Sequence, residues 1–523
     1  MELGVMTKQA AAVAKPAAFP ARSLGFRNPI RVGSRASRIG FGPPARGALR
    51  RRAAIRIARQ RPVRSAVLVE ENSSPAMKNK AEPVRIFVGL PLDTVSAGNE
   101  INHSKAIAAG LRALALLGVH GVDLPISWGV ASNSGDWSSY LTIANMARDA
   151  GLRLRVSLHL HADRRPSLPL PQPVDRAVAA NPDLLFTDRS GRRRPDCLSF
   201  AVEDLPVLDG KTPMEAYEEF FQSFRVAFAD FIGSTITNIT IGLGANGELC
   251  YPSFPPTGDN PFTGVGEFQC YDKYMLADLK RYAEESGNPL WGLSGPHDAP
   301  EYNQSPYFGN FFKDHGGSWE TPYGQFFLSW YSGKLLSHGD RLLSIASKVF
   351  GNLPVTLSAK VPLLHQWHNT RSRPAELTAG FFNTDDRDGY EAVAQMFAKN
   401  SCTMIIPGMD LAVGDQLVSQ IMQACKRHGV RLSGENSSII IAGTAVFSKI
   451  KEHILANNSV LDSFTYQRMG AEFFSPEHWP LFTQFVRSMA QQQMDSDDVP
   501  SKDGRLSLRM NSVPGNDREL QAV

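Results

Sequence analysis

The sequence predicts an α/β fold of the (β/α)8 TIM-barrel class, enlarged by long loops between strands and helices. Apolar or β-branched runs alternate regularly with segments of helical period. Most of these runs are almost continuously apolar, as expected for parallel strands that are buried on both faces. Eight strands are predicted: Arg85 to Leu92, Gly121 to Ser127, Arg153 to His161, Thr237 to Gly244, Val355 to Val361, Cys402 to Pro407, Val430 to Gly434 and Ser463 to Arg468.

The segment from Met214 to Ile232 shows the helical period most clearly. Its aromatic residues recur at steps of three and four, which predicts one apolar face that packs on the barrel. These residues are Tyr217, Phe220, Phe221, Phe224, Phe228 and Phe231. The two longest insertions, Pro166 to Pro213 and Gly247 to Pro322, both follow strands on the catalytic face of such a barrel. One enlarged barrel over residues 83–492 accounts for the pattern, and no second domain is needed.

Composition excludes several classes of protein. The 523 residues are 42% apolar and 20% charged, which is typical of a soluble globular protein. No run approaches the roughly 18 apolar residues that a membrane-spanning helix needs, so we expect no membrane partner. The five cysteines have no C-x-x-C spacing, which argues against a disulfide framework or zinc site and favours a reducing compartment. They are Cys197, Cys250, Cys270, Cys402 and Cys425.

The first 65 residues differ sharply from the rest. They contain thirteen Arg and two Lys but a single acid, Glu2. This composition lacks the apolar core of a secretory signal and is typical of an organelle transit peptide, so residues 1–75 are predicted to be a chloroplast transit peptide and disordered leader. A nucleic-acid-binding arm is the alternative. The leader contributes +14 of formal charge, which leaves about −10 for the remainder and predicts no nucleic-acid partner. Residues 493–523 are polar and predicted to form a disordered tail.

Polar residues follow the predicted strands where barrel enzymes place their chemistry. They are His159, Glu248, Lys360, Glu435, Asn436 and Arg468. A lone histidine or lysine at a strand end is more often a structural group, and Arg468 could anchor a loop through backbone carbonyls. Their convergence on one rim favours a site for a polyhydroxylated ligand, because buried polar groups are costly unless paired. Two glutamates across a cleft would suit glycoside hydrolysis, although two structural ion pairs remain the alternative.

The glycine spacing before Glu248 also matches a dinucleotide-binding fingerprint. Gly242, Gly244 and Gly247 spell G-x-G-x-x-G, and Glu267 follows about 20 positions later. That fingerprint must open a helix, whereas Pro252, Pro255 and Pro256 follow here. The spacing therefore does not predict a nucleotide site.

Longer motifs resemble one known family. Gly242-Leu-Gly-Ala-Asn-Gly-Glu-Leu-Cys-Tyr-Pro-Ser-Phe-Pro255 and Gly266-Glu-Phe-Gln-Cys-Tyr-Asp-Lys-Tyr274 are similar to the signature of plant β-amylases, glycoside hydrolase family 14. Ala375-Glu-Leu-Thr-Ala-Gly-Phe-Phe-Asn383, Asp386-Arg-Asp-Gly-Tyr390 and Gly434-Glu-Asn436 extend the resemblance. It covers about residues 83 to 492.

The resemblance implies an inverting enzyme that releases maltose from the non-reducing ends of α-1,4-glucans such as starch, without a metal or other cofactor. It places Glu248 as the general acid (proton donor) and Glu435 as the general base (proton acceptor). It also places five residues in contact with sugar, namely His159, Lys360, His365, Asn436 and Arg468.

Three positions depart from the family pattern. The family has V-D-V-W-W-G on its second strand with a sugar-binding aspartate, where this chain has Pro125. The family's mobile loop H-Q-C-G-G-N-V-G-D becomes His159-Leu-His-Ala-Asp-Arg-Arg-Pro-Ser167, about three residues shorter. Its inner loop N-F-T-C-L-E-M becomes Thr403-Met-Ile-Ile-Pro-Gly-Met409, with Ile405 in place of the threonine that helps to position the base.

These departures predict that turnover is nearly lost, because misplaced substrate alone can cost about 100-fold in rate. The chain therefore resembles most closely the plastid β-amylase-like proteins classed as inactive, the type numbered nine in plants. We expect a noncatalytic or very weakly active plastid protein that regulates starch degradation by binding glucan or another starch-degrading enzyme, such as an α-amylase or an active β-amylase. An active maltohydrolase is the alternative, since both glutamates are present.

Overall fold

A computed structural model describes residues 84–164, 167–254, 264–412, 414–437, 443–455 and 461–497. Its centre is a closed barrel of eight parallel strands, each hydrogen-bonded to its neighbours in chain order, with the first also paired to the last. The barrel strands are Arg85–Gly89, Gly121–Ser127, Arg153–His159, Ile236–Ile241, Thr356–Lys360, Thr403–Ile406, Leu432–Glu435 and Leu461–Tyr466. The predicted fold class and all eight predicted strands are thus confirmed.

Helices lie between the strands and around them. They are α1 (Ser104–Leu117), α2 (Trp128–Ser134), α3 (Ser138–Asp149), α4 (Gln172–Ala180), α5 (Pro213–Ala227), α6 (Lys273–Glu285), α7 (Pro322–Phe350), α8 (Pro374–Thr378), α9 (Tyr390–Lys399), α10 (Asp415–His428), α11 (Thr444–Leu455) and α12 (Trp479–Asp497). No helix within these described ranges is long and apolar enough to cross a membrane.

The predicted aromatic helix is confirmed as α5, with a different end. A capping box begins it, in which Thr212 and Glu215 satisfy each other's backbone N–H groups. The helix ends at Ala227, and Phe228 and Phe231 are buried in the turn that follows. All six aromatic residues of the predicted face are therefore buried against the barrel layer.

Alternation along the barrel strands separates two environments. On the second strand Val122, Leu124 and Ile126 belong to the large apolar cluster that the helices cover. The residues between them point into the barrel, where Asp123 meets Ser157 of the third strand. The barrel interior is consequently polar near the site, while the layer between barrel and helices is apolar.

Two expectations concern the chain ends. The leader, residues 1–75, lies outside the described residues. The tail prediction for residues 493–523 stays a prediction, and α12 continues to Asp497. Good helix formers such as Gln491 and Met494 extend the helix although the segment has no apolar period. Residues 498–523 lie outside the described part.

Candidate active site

Lys360 and Glu435 form an ion pair at the carboxyl ends of the fifth and seventh strands. The Lys360 Nζ lies 2.5 Å from Glu435 Oε2, and Glu435 is only 3% exposed. The two side chains meet across the sixth strand, where Ile405 is in register with Lys360. Burial by itself lowers the pKa of Lys360, but the carboxylates of Glu435 and Glu248 outweigh it and raise the pKa above its usual value.

Glu248 is presented beside this pair by a loop that leaves the fourth strand. The Leu249 N–H donates to the Lys360 carbonyl (2.8 Å), which ties the two backbones together next to Glu248. A Cβ on Gly244 would lie 2.7 Å from the Glu248 carbonyl oxygen, so only glycine fits this turn. Burial raises the pKa of the Glu248 carboxyl to about 7; the Lys360 ammonium opposes the shift and Glu435 adds to it.

The two carboxyl groups are therefore in unlike environments. Glu248 keeps a proton up to near-neutral pH, whereas Glu435 is paired with a cation. A proton donor and an ionised carboxylate around one cleft are what general acid–base hydrolysis of a glycoside requires. The separation of 6.5–9.5 Å expected between the carboxyl groups of an inverting enzyme stays a prediction.

Two further predicted residues stand at the same end of the barrel. His159 ends the third strand, and its ring stacks on His161 with centroids 5.1 Å apart. Charge on His161 in turn lowers the pKa of Glu248. Arg468 follows the eighth strand, donates to the Leu90 carbonyl (2.8 Å) and acts electrostatically on Lys360. Sugar contacts by His159 and Arg468 remain predictions.

Asn436 and His365 have more particular surroundings. The Asn436 side chain donates to the Gln467 carbonyl (2.7 Å) and accepts from the Gln467 N–H (2.6 Å), which fastens the end of the seventh strand to that of the eighth. His365 lies after the fifth strand beside Gly414, and within the described residues its buried Nδ1 has no hydrogen-bond partner. A role in sugar binding remains a prediction for both.

The floor of the barrel contains charged residues that the sequence analysis did not single out. Arg155 is 2% exposed and donates to Ser463 (2.6 Å) and Thr465 (2.7 Å) of the eighth strand. Asp123 accepts from Ser157 (2.8 Å). Burial raises the pKa of Asp123, against the Arg155 charge. The sequence does indicate both residues, because charged residues at alternate positions of buried strands must face a polar barrel interior.

The three departures from the family pattern lie on barrel strands or directly after one. Pro125 occupies the inward-facing position two residues after Asp123, in register with Ser157. The segment after His159 forms a short antiparallel hairpin, Asp163–Arg164 with Ser167–Leu168. Ile405 is fully buried at the pair formed by Lys360 and Glu435. None of these positions offers the side-chain group that the family pattern provides there.

A buried arginine holds the segment that follows Glu248. The Arg194 guanidinium pairs with Asp196 (2.9 Å) and donates to the Pro252 carbonyl (2.6 Å) and to the Phe254 carbonyl. No helix begins in the described residues between Gly247 and Lys273, in keeping with the rejection of the nucleotide fingerprint. The loop is thus fixed by side-chain contacts rather than by secondary structure.

The described residues contain no metal-ligand cluster, and their cysteines are buried. No group of three His, Cys, Asp or Glu side chains could hold a metal ion in the part of the chain that the structure describes. All five cysteines are buried free thiols, and burial raises the pKa of each. Thiols of this kind are poor nucleophiles.

Comparison with known proteins adds independent evidence. The family model described as Glycosyl hydrolase family 14 matches residues 87–495. The chain is 49% identical to "Inactive beta-amylase 9" of Arabidopsis thaliana, with 96% of each chain covered. It is 40% identical to "Beta-amylase 2, chloroplastic" of Oryza sativa subsp. japonica over 78% of this chain and 77% of that one. The catalytic domain of β-amylase from Paenibacillus polymyxa matches with a TM-score of 0.65 and 25% identity over 78% of this chain and 99% of that domain.

Proposed function

The chain belongs to glycosyl hydrolase family 14, and from that premise we propose that it is a noncatalytic or very weakly active β-amylase homologue that regulates starch degradation in plastids. Its pocket binds α-1,4-glucan through His159, Lys360 and Arg468 at the carboxyl ends of the strands, with His365 and Asn436 as further contacts. Regulation follows from occupying glucan ends or from binding another starch-degrading enzyme, such as an α-amylase or an active β-amylase.

Pro125 is the observation that carries this proposal. It stands at the inward-facing position of the second strand, where the family pattern has a sugar-binding aspartate, and proline has neither a side-chain acceptor nor a backbone N–H. The hairpin after His159 and the apolar Ile405 act in the same direction, because one replaces a loop that covers substrate and the other cannot support Glu435 by a hydrogen bond. Substrate that is held loosely spends little time in a reactive pose.

An active maltohydrolase is the second candidate. It is favoured by the raised pKa of Glu248, about 7, which suits a general acid, and by the presence of Glu435 in the place of the base. In that case Glu248 protonates the leaving glycosidic oxygen, while Glu435 takes a proton from the attacking water.

Plastid location is part of the proposal. It rests on the composition of the leader and on relatives whose names include "chloroplastic". A fluorescent fusion of residues 1–80 is expected to enter chloroplasts. Accumulation in the nucleus would instead support the nucleic-acid-binding arm.

Plants that lack the protein provide the test of function. Expression of the wild-type chain and of Glu248→Gln is compared for leaf starch content through a day–night cycle. A regulator that needs only the shape of the pocket restores starch turnover equally well with either chain. Glu219→Gln on the exposed face of α5 is the matched control for loss of a carboxylate. Failure of Glu248→Gln alone would favour the active enzyme.

A further inference from the structure

A small hairpin contacts both the Glu248 loop and the segment after His159. This clamp hairpin consists of the antiparallel strands Leu185–Thr187 and Arg193–Leu198. It belongs to the insertion after the third barrel strand, whereas the Glu248 loop belongs to the insertion after the fourth. Since those two strands are neighbours in the barrel, the clamp hairpin lies where the two long insertions meet.

Arg194 of the clamp hairpin makes the contact to the Glu248 loop. Its Nε and Nη2 donate to the two carboxylate oxygens of Asp196 (3.1 and 2.9 Å). Its Nη1 donates to the carbonyl of Pro252 (2.6 Å) and to that of Phe254. The bidentate pair with Asp196 fixes the plane of the guanidinium, which directs the remaining N–H groups at the two carbonyls.

The segment that Arg194 holds has a donor for each of its last three carbonyls. Arg194 serves the carbonyls of Pro252 and Phe254, and the Glu267 N–H donates to the Ser253 carbonyl between them (2.9 Å). Residues 249–254 belong to no helix or strand. Their position therefore depends on contacts of this kind.

Asp196 makes the contact to the segment after His159. Its carbonyl accepts from the N–H of Ala162 (2.9 Å), three residues after His159. Its carboxylate meanwhile orients Arg194, which holds the Glu248 loop. One residue of the clamp hairpin thus joins the chain that leaves the third strand to the chain that leaves the fourth.

The clamp hairpin is also held by contacts that do not involve Arg194. The Tyr271 N–H donates to the Thr187 carbonyl (3.0 Å). The Tyr302 hydroxyl donates to the carboxylate of Asp188, which is fully buried (2.9 Å). Loss of the Arg194 contacts therefore leaves these anchors of the hairpin intact.

Both the arginine pair and Glu248 are shielded from water. The side chains of Arg194 and Asp196 are 8% and 11% exposed. Burial is the main cause of the raised pKa of Glu248, about 7, so this pKa reports how well the loop excludes water. Burial and Glu248 raise the pKa of Cys250, and the Arg194 charge opposes them. Cys250 thus lies close to both charged groups.

We propose that Arg194 and Asp196 are positioning residues, which hold the Glu248 loop beside the segment after His159 and thereby fix where the Glu248 carboxyl faces a bound glucan end. The consequence for glucan rests on the proposed function, because it concerns ligand binding at the same site. Removal of the two charge-assisted hydrogen bonds to carbonyls should raise local opening of residues 249–254 by at least about tenfold.

Hydrogen–deuterium exchange of the full chain tests the proposal with a double substitution. Arg194→Met with Asp196→Leu replaces a buried ion pair by apolar side chains, which costs little stability, whereas removal of one partner leaves a buried charge. Protection of residues 249–254 should fall about tenfold or more. Protection of Ala162 should persist, because its acceptor is a backbone carbonyl. Equal loss at both places would mean that the pair only keeps the hairpin docked, and would overturn the proposal.

Arg193→Met with Asp183→Leu is the matched control. Arg193 is the preceding residue of the same strand, and its pair with Asp183 (2.9 Å) is more exposed, at 45% and 33%. This change should leave protection of residues 249–254 unaltered. A loss as large as that in Arg194→Met with Asp196→Leu would show that any disturbance of the strand suffices, and would contradict a specific role of Arg194.

Arg194→Lys gives a second route that does not depend on the folding of the double variant. It keeps a positive charge beside Asp196, but a single ammonium cannot replace the planar fork that reaches a carboxylate and two carbonyls. Protection of residues 249–254 should fall, while the midpoint of denaturant unfolding stays near that of the wild type. Wild-type protection in Arg194→Lys would overturn the proposal.

Titration of Glu248 provides a readout that a purely structural role would not move. The carboxyl band of Glu248 is isolated as the infrared difference between each chain and the same chain with Glu248→Gln, measured across pH. In the wild type the pKa should be about 7. In Arg194→Met with Asp196→Leu it should fall toward about 4.3, because water reaches the carboxyl. An unchanged pKa of Glu248 would contradict the positioning role.

Calorimetric titration with maltotetraose separates this inference from the proposed function. Affinity that falls about tenfold in Arg194→Met with Asp196→Leu, and not in the matched control, supports both. If the loop loosens and the pKa of Glu248 falls but maltotetraose binds to none of the chains, the proposed glucan binding fails and the positioning role stands. If maltotetraose binds while residues 249–254 stay protected in the double variant, the positioning role fails alone.

Discussion

The charged centre of the pocket and its rim differ in how far they follow the family pattern. The charged centre, defined by Glu248, Lys360 and Glu435, keeps its residues and brings them together. The rim, defined by Pro125, Ile405 and the hairpin after His159, does not keep the groups that hold and cover substrate. The comparison teaches that two parts of one site can differ in how far they keep the residues of the family pattern.

The fold itself gives a reason for the charged centre to persist. Lys360 lies between two carboxyl groups with its side chain 18% exposed, and removing one partner of a largely buried ion pair leaves the others uncompensated. Retention of both glutamates is therefore expected even in a protein that does not hydrolyse glucan. Rim residues carry no such constraint.

Lys360→Ala tests this constraint and should have the largest effect. It leaves Glu435 buried without its ion-pair partner and raises the cost of ionising Glu248, so we expect the free energy of unfolding at neutral pH to fall by about 3–5 kcal/mol. Chemical denaturation followed by tryptophan fluorescence measures it. Lys399→Ala breaks the exposed pair with Asp340 and should cost less than about 1 kcal/mol. Equal effects of the two variants would show that the charged centre is not constrained by stability.

Glu248→Gln should stabilise the protein at alkaline pH. The carboxyl has a pKa of about 7 when folded and about 4.3 when unfolded, so folding favours its protonated form and stability is lost as pH rises through this window. Relative to wild type, the variant should gain about 1–2 kcal/mol between pH 5 and pH 8, less than the full shift implies because the side chain is partly exposed. Thermal denaturation at both pH values gives the comparison, with Glu219→Gln as the exposed control. A constant difference would contradict the burial of Glu248.

Pro125→Asp alters the rim alone and should have the smallest effect. A carboxylate at this inward-facing position restores one sugar acceptor, and we expect maltotetraose to bind about five- to tenfold more tightly. Pro125→Ser is the matched control, because it restores the backbone N–H without the charge. Calorimetry on the three chains measures the gain. If aspartate and serine perform alike, the missing carboxylate does not explain weak binding.

The fold was largely predictable from sequence because parallel strands buried on both faces consist of nearly continuous apolar residues. The near-continuous apolar runs located all eight strands, and the aromatic period located α5. Their ends were less predictable: Phe228 and Phe231 continue the period of α5 beyond Ala227 although they lie in a turn. The apolar period of the sequence indicates which residues are buried, and buried residues continue beyond the last helical hydrogen bond of α5.

The site was predictable in part. Glu248, Lys360 and Glu435 stand at strand ends, where the barrel rule directs attention. Arg155 and Asp123 were missed because they lie inside their strands, whereas the barrel rule directs attention to the carboxyl ends. Arg194 could not be found from local sequence, since its partners Pro252 and Phe254 lie 58 and 60 residues away. Contacts between residues so far apart in sequence depend on the tertiary fold and cannot be predicted from local patterns.

Maltose release from soluble starch tests the central claim most directly, that this chain keeps the charged centre but has lost turnover with the rim. The purified wild-type chain and Glu248→Gln are assayed at equal concentration beside an active plant β-amylase. The account predicts release at or near background for both chains, with no difference between them. Substantial release by the wild type that disappears in Glu248→Gln would contradict it and establish the chain as a maltohydrolase.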